Sequence, residues 1–133
     1  MIKPRIVDIP KILDRRGNLS FAEAGNHVPF DIMRVYWIYD VPGGETRGGH
    51  AFRENNEMII ALSGSFDVVL HDGRDSTRYS LNRSYYGLFV PKMVWRSMEN
   101  FSTNSLAVVL SSIVYYEQDY IRDFDVFKAM VNA

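Results

Sequence analysis

The sequence predicts an all-β domain, a small sandwich or barrel carrying one short C-terminal helix. From residue 34 onward the chain is a series of short runs rich in Val, Ile, Tyr, Phe and Trp, each closed by a turn signal. Runs of this length, turned at this spacing, suit a small antiparallel barrel. Only the tail changes period: Phe124, Phe127, Met130 and Val131 recur at helical spacing behind Asp123, a residue type that caps helix N-termini.

Residues 1–30 read as irregular, because Pro4, Pro10, Gly17, Gly25 and Pro29 interrupt any period. The first predicted strand is "RVYWIYDV" (34–41), which ends at "PGGE". "EMIIALSG" (57–64) ends at Gly64, and "SFDVVLHDG" (65–73) enters the turn "HDGRD", from which "TRYSL" (77–81) returns. "YYGLFVP" (85–91), "VWRSMENF" (94–101) and "SLAVVLSSIVYY" (105–116) complete the series. There is no internal repeat, low-complexity tract or linker, so residues 1–133 read as a single domain.

The net charge of −1 supplies no global basic field for nucleic acid or an anionic membrane, although a local arginine cluster for a small anion remains open. The absence of cysteine excludes disulfides, thiolate metal sites and cysteine nucleophiles. No apolar run reaches the length of a signal peptide or a membrane span, which gives the expectation of a soluble, cytoplasmic protein.

The stretch "GGETRGGHAFRENNEMIIALSG" (43–64) carries the chemistry. Gly44, His50, Glu57 and Gly64 stand at the spacing of the first motif of metal-binding cupins, in which a second histidine follows two residues after the first. Phe52 stands there instead. Residues 91–100, "PKMVWRSMEN", keep the frame of the second cupin motif from Pro91 to Asn100, but Met93 replaces its glycine and Arg96 its histidine. The resemblance implies a cupin jelly roll, a double-stranded β-helix, without its metal. His50 and Glu57 alone fall short of three or four ligands, and Arg96 brings a permanent cation to a ligand position.

Side chains alternate along a strand, so Arg34 and Tyr36 share one face of their run and Val35, Trp37 and Tyr39 the other. An inward arginine and tyrosine would make the interior polar enough for a ligand. His50 is then either a satisfied core histidine or one half of a proton-transfer pair with a tyrosine. The residues alone leave both readings open.

The segments "DRRGNLSF", "RVYWIYDVPGG", "RGGHA", "IIALSGSFDVVL", "LNRSYYGLFVP", "MENFS" and "YIRDFD" are similar to those of the sugar 3,4-ketoisomerases, metal-independent cupins of the WxcM-like family. The resemblance runs from about residue 5 to about residue 128. It implies a homodimer with exchanged N-terminal strands and a dTDP-linked 4-keto-6-deoxyhexose in each barrel. The reaction it implies moves the ketone from C4 to C3 without a cofactor. His50 matches the family's base and Tyr36 the tyrosine that hydrogen-bonds the sugar. Phe52 departs from members with histidine there, which bears on any shuttle using two imidazoles.

The proton on C3 of a 4-ketohexose is acidified by the adjacent carbonyl. One base can remove it and return it to C4 through an enediolate, and a histidine near pH 6.5 suits that task. Tyr36 and nearby arginines would stabilise the developing oxyanion. Arg16, Arg34, Arg47, Arg53 and Arg96 are candidates for the diphosphate, and Phe52 for an apolar wall beside the sugar. Trp95, Tyr85 and Tyr86 read mainly as core, with one aromatic available to stack on thymine; His27 and His71 fall in a loop and a hairpin tip. A dTDP-sugar 3,5-epimerase, a non-catalytic sugar-nucleotide binding module and a ligand-free barrel are the competing readings.

Overall fold

The computed structural model describes residues 2–133. Two five-stranded antiparallel sheets face one another as a jelly roll. One sheet has the order β1-β9-β6-β11-β4 and the other β12-β5-β10-β7-β8. The first contains β1 (Arg5–Asp8), β4 (Arg34–Tyr39), β6 (Glu57–Ser63), β9 (Tyr86–Val90) and β11 (Leu106–Ser111). The second contains β5 (Arg47–Phe52), β7 (Phe66–His71), β8 (Ser76–Leu81), β10 (Trp95–Glu99) and β12 (Tyr120–Ile121). A separate hairpin joins β2 (Lys11–Ile12) to β3 (Leu19–Ser20), and α1 (Phe124–Val131) ends the fold.

The core between the sheets is built by alternation. Ile59 and Ala61 of β6, Val68 and Leu70 of β7, Met98 of β10, and Ala107 and Val109 of β11 all point inward and are buried. Met58 and Ile60 point to the other face of β6, where Ile9 and Val28 of the N-terminal segment cover them together with Phe89 and Leu110. Both faces of β6 are therefore dry, which explains its unbroken apolar run. On the outer face of the second sheet, fully buried Phe127 of α1 packs with Ala51 and Ile121. Asp123 caps this helix by accepting a hydrogen bond from the Val126 amide at 3.0 Å.

The structure corrects the expected irregularity of residues 1–30. β1 pairs with β9 of the same chain in the register Arg5↔Phe89 to Asp8↔Tyr86, and β2 and β3 pair beyond it. β5 was hidden because Gly48 and Gly49 dilute its strand signal. β11 stops at Ser111, five residues short of the apolar run that announced it. The turn in "HDGRD" is as predicted: the Asp72 carboxylate accepts from the amides of Arg74 (2.8 Å) and Asp75 (2.9 Å), and Gly73 takes a positive φ of 105°. His71 accepts from the Gly73 amide at 3.0 Å and helps close this turn.

Candidate active site

Five strands bring their inward residues to one end of the barrel. Glu57 opens β6 on the same face as Ile59 and Ala61, and Ser111 lies between Glu57 and Arg34 in the strand register. Arg34 and Tyr36 face inward from β4, as alternation predicts, while Val35, Trp37 and Tyr39 face out. Arg96 of β10 stands opposite His50 of β5. The β5–β10 ladder then slips by one residue, with Gly48 at φ 75°. This bulge turns the Gly48 carbonyl to accept from Arg96 at 3.2 Å. A Cβ on Gly48 would lie 2.1 Å from the same guanidinium, so the position requires glycine.

Arg96 is the largest fully buried side chain in the protein. Its Nε donates to Glu57 Oε1 at 2.8 Å, and Nη2 lies 2.8 Å from the same oxygen. Nη2 also donates to the Tyr36 hydroxyl at 2.7 Å, while that hydroxyl donates to Glu57 Oε2. Arg96, Glu57 and Tyr36 thus form a closed triangle. An ion pair this deep is tolerated only when its donors and acceptors are matched, and here they are.

His50 is 8% exposed, and its Nε2 is buried without a hydrogen-bond partner. Its ring packs edge-on to Phe52 at 4.8 Å and lies 5.0 Å from Tyr120. Burial first, then the charges of Arg96, Arg122 and Arg34, lowers its pKa from 6.5 to about 3. The expectation of a histidine near its ordinary pKa is therefore corrected: in the free protein the imidazole is neutral well into acid. Tyr36 moves the other way. Burial, reinforced by the Glu57 charge and hydrogen bond, outweighs Arg96 and holds its phenol well above the usual range.

These groups line a cavity of about 540 Å³ with Arg34, Arg47, Tyr115, Tyr120 and Arg122. Arg34 is half-buried; its Nε is buried and unpartnered, and Nη2 reaches Ser111 at 3.5 Å. Arg122 lies over Tyr120 at 4.3 Å and pairs with Glu117 at 2.9 Å, and Glu117 also accepts from Tyr115. A larger hollow of about 820 Å³ lies near the β7–β8 hairpin and residues Ile2–Pro4. Its buried walls are Leu70 and Pro91, and no histidine lines it, so the smaller cavity is the chemically equipped one.

Of the residues proposed from sequence, His50, Tyr36, Arg34, Arg47 and Arg96 converge on this cavity. The Arg96 guanidinium faces Glu57, Tyr36 and Gly48, so it is committed within the protein and not displayed to a phosphate. Phe52 is buried behind His50 and Tyr120 instead of lining the cavity. Arg16 lies in an exposed turn bonded to Asp14 at 2.8 Å, and Arg53 reaches the Gln118 carbonyl at 3.3 Å; neither lines the cavity. Sequence reading missed Tyr115, Tyr120 and Arg122. "YIRDFD" was conspicuous, but β12 is two residues long and gives no periodicity to read. Glu57 was noticed only as a remnant metal ligand.

The metal of other cupins does not fit these residues. Glu57 is held by Arg96, Phe52 offers no donor, and no group of three His, Cys, Asp or Glu able to hold an ion exists among the described residues. No helix among them is long and apolar enough to cross a membrane.

Comparison with known proteins agrees in fold and sequence. The profile of the family described as "FdtA: WxcM-like, C-terminal" matches residues 2–132. The TDP-4-oxo-6-deoxy-alpha-D-glucose-3,4-oxoisomerase of Aneurinibacillus thermoaerophilus is 39% identical over 127 residues, covering 96% of this chain and 91% of that protein. A 3,4-ketoisomerase from Helicobacter canadensis superimposes with a TM-score of 0.96 at 41% identity over the full length of both chains. A sugar 3,4-ketoisomerase from Thermoanaerobacterium thermosaccharolyticum in complex with TDP gives 0.95 at 32% identity, covering 97% of this chain and 94% of that one. With its jelly roll and a profile match spanning nearly every residue, the chain belongs to the WxcM-like FdtA family.

Proposed function

We propose that this protein isomerises a dTDP-linked 4-keto-6-deoxyhexose to the 3-keto sugar without a metal. The single observation that carries the reading is His50, a neutral buried imidazole with an unpartnered Nε2, which lines a cavity together with arginines. His50 removes the C3 proton, acidified by the C4 carbonyl, and returns it to C4 of the enediolate. The diphosphate lies against Arg34, Arg47 and Arg122, whose planar donors suit phosphate oxygens. Tyr36 hydrogen-bonds the sugar, and Phe52 fixes the imidazole by packing on it. One imidazole suffices because C3 and C4 are adjacent, so Phe52 in place of a second histidine removes no required proton carrier.

The cationic lining also couples binding to catalysis. Two of the arginines that depress His50 in the free protein, Arg122 and Arg34, are ones a diphosphate would neutralise. Substrate binding therefore raises the proton affinity of His50 at the moment it must accept a proton.

We also propose that two copies associate. Edge strand β4 carries Val35, Trp37 and Tyr39 outward at 47%, 59% and 60% exposure, an apolar row on an unpaired edge that a second copy would cover. Exchange of N-terminal strands would place the partner's β1 on the same β9 edge that β1 occupies here, with the same hydrogen bonds.

Three outcomes check this account. With dTDP-4-keto-6-deoxyglucose, NMR should show the 3-keto product, and His50→Asn should lower that rate by ~10²–10⁴-fold while dTDP still binds. Wild-type binding without turnover would make the protein a binding module, and deuterium entering C5 would make it an epimerase. In the pH profile, protonation of His50 removes the base, so a pKa near 3 keeps kcat/KM level down to about pH 5, with the acidic limb of kcat at higher pH. An inflection of kcat/KM near 6.5 would contradict the depressed imidazole. Sedimentation should give a dimeric mass that Trp37→Glu reduces to a monomer; a monomeric wild type at micromolar concentration would refute the association.

A further inference from the structure

Three tyrosines line the cavity, and they differ in where their protons are held. The Tyr36 hydroxyl donates to Glu57 and accepts from Arg96, so toward the cavity it offers only an acceptor. The Tyr115 hydroxyl donates to Glu117. Tyr120 touches rings and a guanidinium, and no described residue hydrogen-bonds its hydroxyl. A free phenol has both a proton to give and lone pairs with which to receive one. Thr46 carries the remaining hydroxyl of the lining, but it is exposed, whereas Tyr120 is half-buried against the imidazole.

The fold holds this phenol beside the base. Tyr120 pairs with Phe52 in the β12–β5 ladder, and directly paired residues project from the same face. His50 stands two residues before Phe52 and shares that face, which brings the imidazole and phenol rings to 5.0 Å. The chain is pinned on either side. Buried Asp119 accepts from the Glu54 and Asn55 amides at 2.7 and 3.1 Å, and Ile121 is buried with Phe127 of α1. Phe52 packs edge-on to the Tyr120 ring at 4.7 Å, and the Arg122 guanidinium lies 4.3 Å from its centroid. A donor held this way is ordered before substrate arrives.

We propose that Tyr120 is a catalytic residue that serves the substrate's oxygens, giving its proton to O4 as it receives the proton of O3. The assignment rests on the 3,4-ketoisomerase reading and deepens it, because that reaction moves a hydroxyl proton as well as a carbon-bound one. As His50 takes the C3 proton, the C–H electron pair forms the C3–C4 double bond and O4 takes the negative charge. The ring holds O3 and O4 cis on that double bond, within reach of one hydroxyl. Tyr120 protonates O4 and accepts the O3 proton, which moves the negative charge to O3. The C3 carbonyl then forms, and the electrons of the double bond take the proton held by His50 onto C4. Tyr120 and His50 end as they began, and no oxidant or reductant is consumed. Tyr36 complements this by accepting from a sugar hydroxyl, the one role its remaining lone pair allows.

The two proton transfers separate in deuterium oxide. His50 alone suffices to exchange the C3 proton with solvent, whereas isomerisation also needs the transfer between oxygens. Tyr120→Phe keeps the ring against His50 and removes only the hydroxyl. With dTDP-4-keto-6-deoxyglucose its isomerisation should fall by ~10²-fold or more, while dTDP affinity stays at the wild-type value. Exchange at C3 of the remaining 4-ketone should persist, so the ratio of exchange to isomerisation rises at least about tenfold. Tyr36→Phe should leave that ratio unchanged, because the Tyr36 proton is committed to Glu57. Exchange and isomerisation falling together in Tyr120→Phe would reduce Tyr120 to a support for His50 and overturn the assignment. Isomerisation surviving in Tyr120→Phe, or a ratio that rises in Tyr36→Phe instead, would also overturn it and leave the ketoisomerase reading standing. A wild type that neither exchanges nor isomerises would refute that reading, and the assignment with it.

Discussion

The cavity is organised around one charge taken out of water. A buried guanidinium is costly unless its donors are matched, and Arg96 reaches a carboxylate, a phenol and a backbone carbonyl. Each match constrains another part of the fold. Glu57 must open β6 on the inner face, Tyr36 must lie at an inward position of β4, and Gly48 must sit in a bulge too tight for a side chain. Three strands are thereby set against β10 by polar geometry.

The same cation accounts for the absence of metal donors and for what replaces them. A metal would polarise substrate oxygens directly and need a ligand in place of Arg96. The guanidinium instead acts on protein groups, lowering the proton affinity of His50 and accompanying Glu57 in fixing the Tyr36 hydroxyl. The His50 imidazole stays neutral and the Tyr36 phenol stays protonated, two states suited to moving protons between neighbouring carbons and oxygens. The outer arginines add a second control, since their effect on His50 depends on whether an anion lies between them.

Much of this was legible in the sequence, for identifiable reasons. Alternation along "RVYWIY" placed Arg34 and Tyr36 inward because β4 follows the period of two, and Asp123 announced α1 because capping is local chemistry. The motif spacing from Gly44 to Gly64 carried the jelly roll. What failed was non-local. β1 and β12 are too short to show a period and exist through pairing with β9 and β5. Arg96 looked like a phosphate ligand because nothing in the sequence brings Glu57, thirty-nine residues away, to its Nε. The depressed His50 pKa depends on Arg34, Arg96 and Arg122, which meet only in the folded barrel.

The most direct test of the central claim is a double-mutant cycle on unfolding free energy, using Arg96→Met, Glu57→Gln and the pair in urea denaturation. If the buried ion pair organises this end of the barrel, each single change strands a buried polar partner and costs ~3–5 kcal/mol. The double variant should then cost well below the sum, with a coupling of about 2 kcal/mol or more. Additive losses, or single variants as stable as wild type, would contradict the claim.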